Sequence, residues 1–90
     1  MATETLTTRI LYFARIRTLV GRQKEEIAVP SSVKTVNGLI DYLARIDEGC
    51  AAAFADRRTL RAAVNQRHVA LDATFEANDE VAFFPPVTGG

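Results

Sequence analysis

Thr35-Val36-Asn37-Gly38-Leu39-Ile40-Asp41-Tyr42-Leu43-Ala44-Arg45-Ile46 is the long amphipathic stretch of this 90-residue chain. Val36, Leu39, Ile40, Leu43 and Ile46 recur at i, i+3, i+4 and i+7, which places them on one face of a helix. Asn37, Asp41 and Arg45 cover the opposite face. Thr35 is placed to cap the first turn. Gly38 costs about 1 kcal/mol relative to alanine inside a helix, and Gly49 reads as the stop. A helix with one apolar face needs a second layer to lie on, and the flanking sequence supplies strands.

Upstream, Gln23 to Val29 alternates, with Ile27 and Val29 inward and Glu26 and Ala28 outward; Pro30 ends the run and Ser31-Ser32 marks a turn. Before it, Arg9 to Phe13 is a continuous apolar and aromatic run, as in a central strand covered on both faces or a strand covered by a partner on one side. Ala14 to Val20 changes period: Ile16, Leu19 and Val20 lie at helical spacing, and Gly21 suits a left-handed helix end. Residues 1–8 are polar and threonine-rich and read as a disordered lead. Downstream, Cys50 to Asp56 fits either a short helix or an irregular excursion. Leu60 to Val64 and Val69 to Leu71 read as short strands joined by Asn65 to His68. Thr74 to Asp79 is a polar crossover with Phe75 tucked beneath it, and Glu80 to Phe84 is the last strand. Strands around one main helix indicate an α+β fold, a mixed sheet with the helix on one face. The first and last strands can then lie side by side in its centre.

The chain finishes on Phe84-Pro85-Pro86-Val87-Thr88-Gly89-Gly90. Pro85 has no N–H for a ladder, so strand pairing should fail there. A residue that precedes proline is driven to extended conformations, so the chain leaves the sheet straight. From Pro86 onward five residues reach roughly 16 Å at about 3.3 Å each. A frayed terminus is the ordinary reading of such a tail. Two terminal glycines arise by chance in about 0.5% of chains at average composition; the strand and proline pair before them give the tail a fixed point of exit.

Composition narrows the function classes. Apolar residues make up 48% and charged residues 24%, with eleven cations balancing eleven anions. This is one globular domain with a single modest core. Zero net charge argues against a general binder of nucleic acid or anionic membrane. Nine of the eleven cations are arginine, which suits local recognition of carboxylate or phosphate. One cysteine, Cys50, and one histidine, His68, leave no intramolecular disulfide and no cysteine- or histidine-rich metal site. Cys50 reads as a small buried hydrophobe. The polar N-terminus lacks the features of a signal peptide, and no apolar run approaches the roughly 18 residues of a membrane helix, so a cytoplasmic protein is expected. There is no glycine-rich phosphate loop, paired nucleophile and base, or metal constellation, so no independent enzyme is expected.

Leu11-Tyr12-Phe13-Ala14, Leu19-Val20-Gly21, Leu60 to Gln66 and Asn78 to Gly90 resemble the small, sulfur-carrier subunits of molybdopterin synthase. The resemblance covers residues 9–90, is loosest over Asp47 to Thr59, and is most specific in Phe83-Phe84-Pro85-Pro86-Val87-Thr88-Gly89-Gly90. It implies a ubiquitin-like β-grasp fold: a mixed sheet of about five strands, with residues 9–85 as the domain and 86–90 as a flexible tail. It further implies a co-substrate. An adenylating enzyme would consume ATP to convert the Gly90 carboxylate to an acyl-adenylate, and a sulfur donor would displace AMP to leave a thiocarboxylate. The large synthase subunit would then use that sulfur to build the molybdopterin dithiolene, in a heterotetramer of two subunit types. Gly89 and Gly90 are carried over as the reacting end, with no cofactor or metal held by the chain itself.

The resemblance also assigns partner-binding roles to Phe13, Arg17, Phe84, Pro85 and Pro86. From spacing alone the two aromatics fit ordinary core packing, and Arg17 a solvated helix residue. His68 departs from the family, where an apolar residue is expected on the same docking face. Three classes of function stay open on the residues: a sulfur carrier for molybdopterin or another pathway such as thiamine thiazole synthesis, a protein modifier joined to lysine through Gly90, and an interaction domain with an inert tail.

Overall fold

The computed structural model describes residues 5–86. In chain order the elements are β1 (Thr5–Tyr12), α1 (Ala14–Val20), β2 (Lys24–Pro30), α2 (Val36–Ile46), α3 (Glu48–Ala53), a 3₁₀ turn (Arg57–Thr59), β3 (Arg61–Val64), β4 (Arg67–Val69) and β5 (Glu80–Phe84). The five strands form one sheet in the order β2-β1-β5-β3-β4. β1 and β5 run parallel in its centre and the other neighbours are antiparallel. The mixed sheet with its first and last strands adjacent is the arrangement expected, and it is a β-grasp.

α2 forms for the reasons legible in its sequence. Thr35 Oγ1 accepts a hydrogen bond from the Gly38 N–H at 3.0 Å, and Val36, Leu39, Ile40 and Leu43 are buried against the sheet. Their partners across the interface include Ile10, Tyr12, Val29, Val81 and Phe83, all fully buried. Ile46, expected on the same face, is instead 57% exposed. The helix ends there because Asp47 takes an extended conformation, φ −147°, so the last apolar residue overhangs the core. Phe75 is buried beneath its crossover, as expected.

Four boundaries are corrected. The lead expected over residues 1–8 is strand from Thr5 onward, paired with β2 through Thr7↔Ala28 and Thr8↔Ile27; β-branched threonine favours a pleated strand despite its polarity. Residues 1–4 lie outside the described residues. Pro30 closes β2 as its last residue, opposite Thr5. Gly49 does not stop α2. It lies inside α3, where a Cβ would come within 2.8 Å of the Leu19 carbonyl oxygen, so glycine is what lets α1 and α3 approach. The connection expected over Asn65 to His68 is only Asn65-Gln66, with φ +50° and +70°. Two consecutive left-handed residues match the twist of a two-residue hairpin, and β4 therefore begins at Arg67.

Candidate docking face and tail exit

Because β5 is central and runs toward the C-terminus, the tail leaves from the middle of the sheet rather than from an edge. Phe83 points into the core, fully buried, with its ring centroid 4.8 Å from Phe54 and 6.4 Å from Tyr12. Alternation then turns Phe84 to the open face, where it is half-buried. Phe84 makes the last pair of the ladder, with Arg61. Pairing ends at Pro85, and Pro85 and Pro86 are both half-buried.

Phe13 arrives at the same place from β1. Its N–H donates to the Phe83 carbonyl at 3.1 Å, yet its side chain is 46% exposed. The next residue, Ala14, has φ +52°, in the left-handed region, which swings the chain from strand into α1 and leaves Phe13 projecting. Such a backbone costs a non-glycine residue roughly 1 kcal/mol. One helical turn on, the Arg17 N–H donates to the Phe13 carbonyl at 3.2 Å, and the Arg17 side chain is exposed. Phe13, Arg17, Phe84, Pro85 and Pro86 thus cluster around one exit point. Gly89 and Gly90 lie outside the described residues.

The open face behind the exit is smooth. Leu11, Ala82, Ala63 and His68 form a row across four strands, and the two central alanines are nearly covered by their neighbours. His68, where an apolar residue was expected, is exposed and packs on Phe84 with ring centroids 5.0 Å apart at 48°. His68 thus places a ring with a polar edge on the face.

A polar cluster on the core side of the sheet was not foreseen. Tyr12 Oη donates to Glu25 Oε2 at 2.6 Å, Arg22 Nε donates to the same oxygen at 3.1 Å, and Arg22 Nη2 donates to Asp47 Oδ2 at 2.7 Å. Asp47 Oδ1 in turn accepts from the Cys50 N–H at 3.1 Å and so caps α3. Burial, with Glu25 as hydrogen-bond partner, raises the Tyr12 hydroxyl above its usual range. Asp47 is held below the carboxylate range by the Cys50 N–H and by Arg22. The cluster ties the residue before Phe13 to the α2–α3 junction. Its members are spread over residues 12–50 with no common spacing, so nothing in the sequence marks them as partners.

Cys50 is fully buried, and burial raises its thiol. A buried thiol held protonated is a poor nucleophile, in keeping with a packing role. Among the described residues no group of three histidine, cysteine or acidic side chains could hold a metal ion, and no helix is long and apolar enough to cross a membrane.

Residues 10–90 match the family described as the ThiS family. This chain belongs to that family. It is 44% identical to the molybdopterin synthase sulfur carrier subunit of Escherichia coli over 91% of this chain and 98% of that one. Among solved structures, a putative molybdopterin converting factor subunit 1 from Pyrococcus furiosus superposes with a TM-score of 0.72 at 32% identity, covering 91% of this chain and 99% of the other. SAMP1, the small archaeal modifier protein 1 of Haloferax volcanii, gives a TM-score of 0.73 at 26% identity, with 93% and 99% coverage. The resemblance to sulfur-carrier subunits and the ubiquitin-like β-grasp assignment are both borne out. Proteins of this kind are small subunits that serve a synthase rather than catalysts on their own.

Proposed function

We propose that this chain carries sulfur to a molybdopterin synthase on the carboxyl group of Gly90. The observation that carries the reading is the position of Phe84-Pro85-Pro86. The proline pair ends a central strand between exposed Phe13 and half-buried Phe84, in a chain matching a sulfur carrier subunit along nearly its whole length. A carboxylate is a poor electrophile, and the chain's own residues offer nothing to activate it. Activation therefore falls to a partner of the adenylating class. The Gly90 carboxylate oxygen attacks the α-phosphorus of ATP and pyrophosphate leaves. The outer sulfur of a persulfide donor then adds at the acyl carbon and AMP departs with the original oxygen; a thiol cleaves the resulting acyl disulfide, forming a disulfide with the donor's remaining sulfur and leaving a thiocarboxylate. Splitting the exchange into two displacements lowers each barrier, as covalent catalysis does elsewhere.

The folded domain contributes delivery. Phe13, Arg17, Phe84, Pro85 and Pro86 dock on the large synthase subunit, and Gly89 and Gly90 enter its site with no Cβ to obstruct the reacting carbon. Fixing the sulfur beside the pterin precursor replaces a bimolecular encounter. Two carriers serve each pterin, one per dithiolene sulfur, in a cytoplasmic assembly with two copies of each subunit. Supplied with the adenylating enzyme, ATP and the sulfur donor, the intact protein should gain the mass difference between oxygen and sulfur. An unchanged mass with all three present overturns the reading.

The likeness to SAMP1 favours one further reading, that of a protein modifier. It shares the adenylate and diverges at the acceptor. Recovery of Gly90 in isopeptide linkage to lysines of many unrelated proteins would select it over sulfur transfer.

A further inference from the structure

The zero net charge conceals a strong separation of charge along the chain. Between Thr5 and Lys24 every charged residue is a cation, and the same is true from Arg57 to Leu71; from Asp72 to Glu80 every one is an anion. The topology gathers cations from the first two segments at one end of the sheet. β1 and β3 both flank β5, so α1, which follows β1, and the 3₁₀ turn, which precedes β3, both lie at the end of the sheet where the tail leaves. Arg61 sits opposite Phe84 in the ladder, and its Nη1 donates to the carbonyls of Arg58 and Leu60 at 3.1 and 3.0 Å. Arg15 enters α1 two residues after Phe13, whose N–H donates to the Phe83 carbonyl at 3.1 Å at this same end of the sheet.

Arg15, Arg17, Arg58 and Arg61 are all exposed. Among the described residues the one carboxylate in an ion pair with any of them is Asp56, held by Arg58 Nε at 3.1 Å. Among the described residues, Arg15, Arg17 and Arg61 have no carboxylate within ion-pair distance. Arg22, Arg57 and Arg58, by contrast, are paired internally, by Glu25 with Asp47, by Asp41 and by Asp56. The anionic segment lies at the far end, where Asp79 and Glu80 meet the β3–β4 turn through Asn65.

We propose that these arginines form a cationic collar around the tail, and that it steers the chain tail-first onto a partner surface rimmed with carboxylates. The inference rests on the docking role proposed above and adds the chemistry of the rim, together with Arg15 and Arg61 as the residues that read it. A protein rim fits better than nucleic acid. The collar encloses the apolar pair Phe13 and Phe84, which would gain nothing from a phosphate backbone, and guanidinium forks suit planar carboxylates. Charges at the edge of a docking face act mainly on the rate of encounter and are screened by salt.

The test measures association of this chain with the large synthase subunit from the same genome, by stopped-flow, at low and at high salt. The double substitution Arg15→Glu with Arg61→Glu should slow association about tenfold at low salt, leave dissociation nearly unchanged, and lose its effect at high salt. Arg15→Gln with Arg61→Gln should show a smaller slowing of the same kind. Arg9→Glu, at the opposite end of the sheet, should leave the rate close to wild type, and melting curves confirm that all variants fold. An association rate insensitive to salt and to both double substitutions overturns the collar while leaving the docking role intact. Failure of the wild-type chain to bind at any salt overturns the docking role and the collar with it. Tighter binding of the collar to ATP or an oligonucleotide than to the subunit, abolished by the same substitutions, would assign it to phosphate instead.

Discussion

Gly49 offers the sharpest test of how the site is supported, because propensity and packing predict opposite signs. On propensity alone, Gly49→Ala in α3 should stabilise the chain by up to about 1 kcal/mol. In the structure the added Cβ lies 2.8 Å from the Leu19 carbonyl oxygen, 3.1 Å from Asp47 Oδ1 and 3.2 Å from Val20 Cα. Two of the three obstacles are backbone of α1, which cannot swing aside as a side chain can. Restoring ordinary contact at 3.4 Å needs α1 and α3 to part by 0.6 Å, the difference from 2.8 Å. Overpacking of this kind typically costs about 1–3 kcal/mol. Net destabilisation of about 1–2 kcal/mol follows, which lowers Tm by roughly 5–15 °C in a domain of this size. Gly38→Ala is the control, since its Cβ meets only side-chain atoms, Thr35 Oγ1 at 3.3 Å and Val33 Cγ1 at 3.5 Å. Thermal and urea unfolding of the two variants should rank Gly49→Ala well below Gly38→Ala. Equal stability, or a gain at Gly49, would refute the close approach of α1 and α3.

Thr8→Val should stabilise the protein by about 1 kcal/mol in urea unfolding, since Thr8 is fully buried and its Oγ1 has no hydrogen-bond partner. Asp47 carries a pH prediction. Its folded pKa lies below the ordinary 3.8, so its contribution is complete above that value and is lost as pH falls through the lower folded one. Asp47→Asn should therefore unfold more easily at neutral pH and lose less of its urea midpoint on acidification than the wild type does. Phe13→Ala should lower the melting temperature only modestly, because Phe13 is 46% exposed, yet weaken binding to the large synthase subunit by about 2 kcal/mol, roughly 30-fold in Kd, as for a central aromatic anchor.

What the sequence revealed, and what it hid, divides along the range of the forces involved. α2 was legible because its apolar period, its Thr35 cap and its polar face are all local, and β5 with its proline stop was legible for the same reason. Thr5 to Thr8 read as a lead because their polarity masks three β-branched threonines whose strand character is fixed only by pairing with β2. Gly49 looked like a helix stop; its actual reason is the backbone of α1, thirty residues away in sequence, which no local pattern encodes. The aromatic pair at the exit came from family resemblance, while its exposure came from a left-handed Ala14 that spacing cannot show. The cluster of Tyr12, Arg22, Glu25 and Asp47 depends wholly on tertiary contacts, and the arginine collar needed the strand order before its scattered members could be seen as neighbours.

In the proposed function the chain delivers sulfur from Gly90 and is itself returned unchanged. The direct measurement is a single turnover: thiocarboxylated chain, large synthase subunit and pterin precursor are mixed, and carrier mass and dithiolene product are followed together. The carrier should revert to the carboxylate form as product appears, two carriers for each pterin. Retention of the thiocarboxylate with no product, or loss of the free carrier into lysine-linked conjugates, would contradict it.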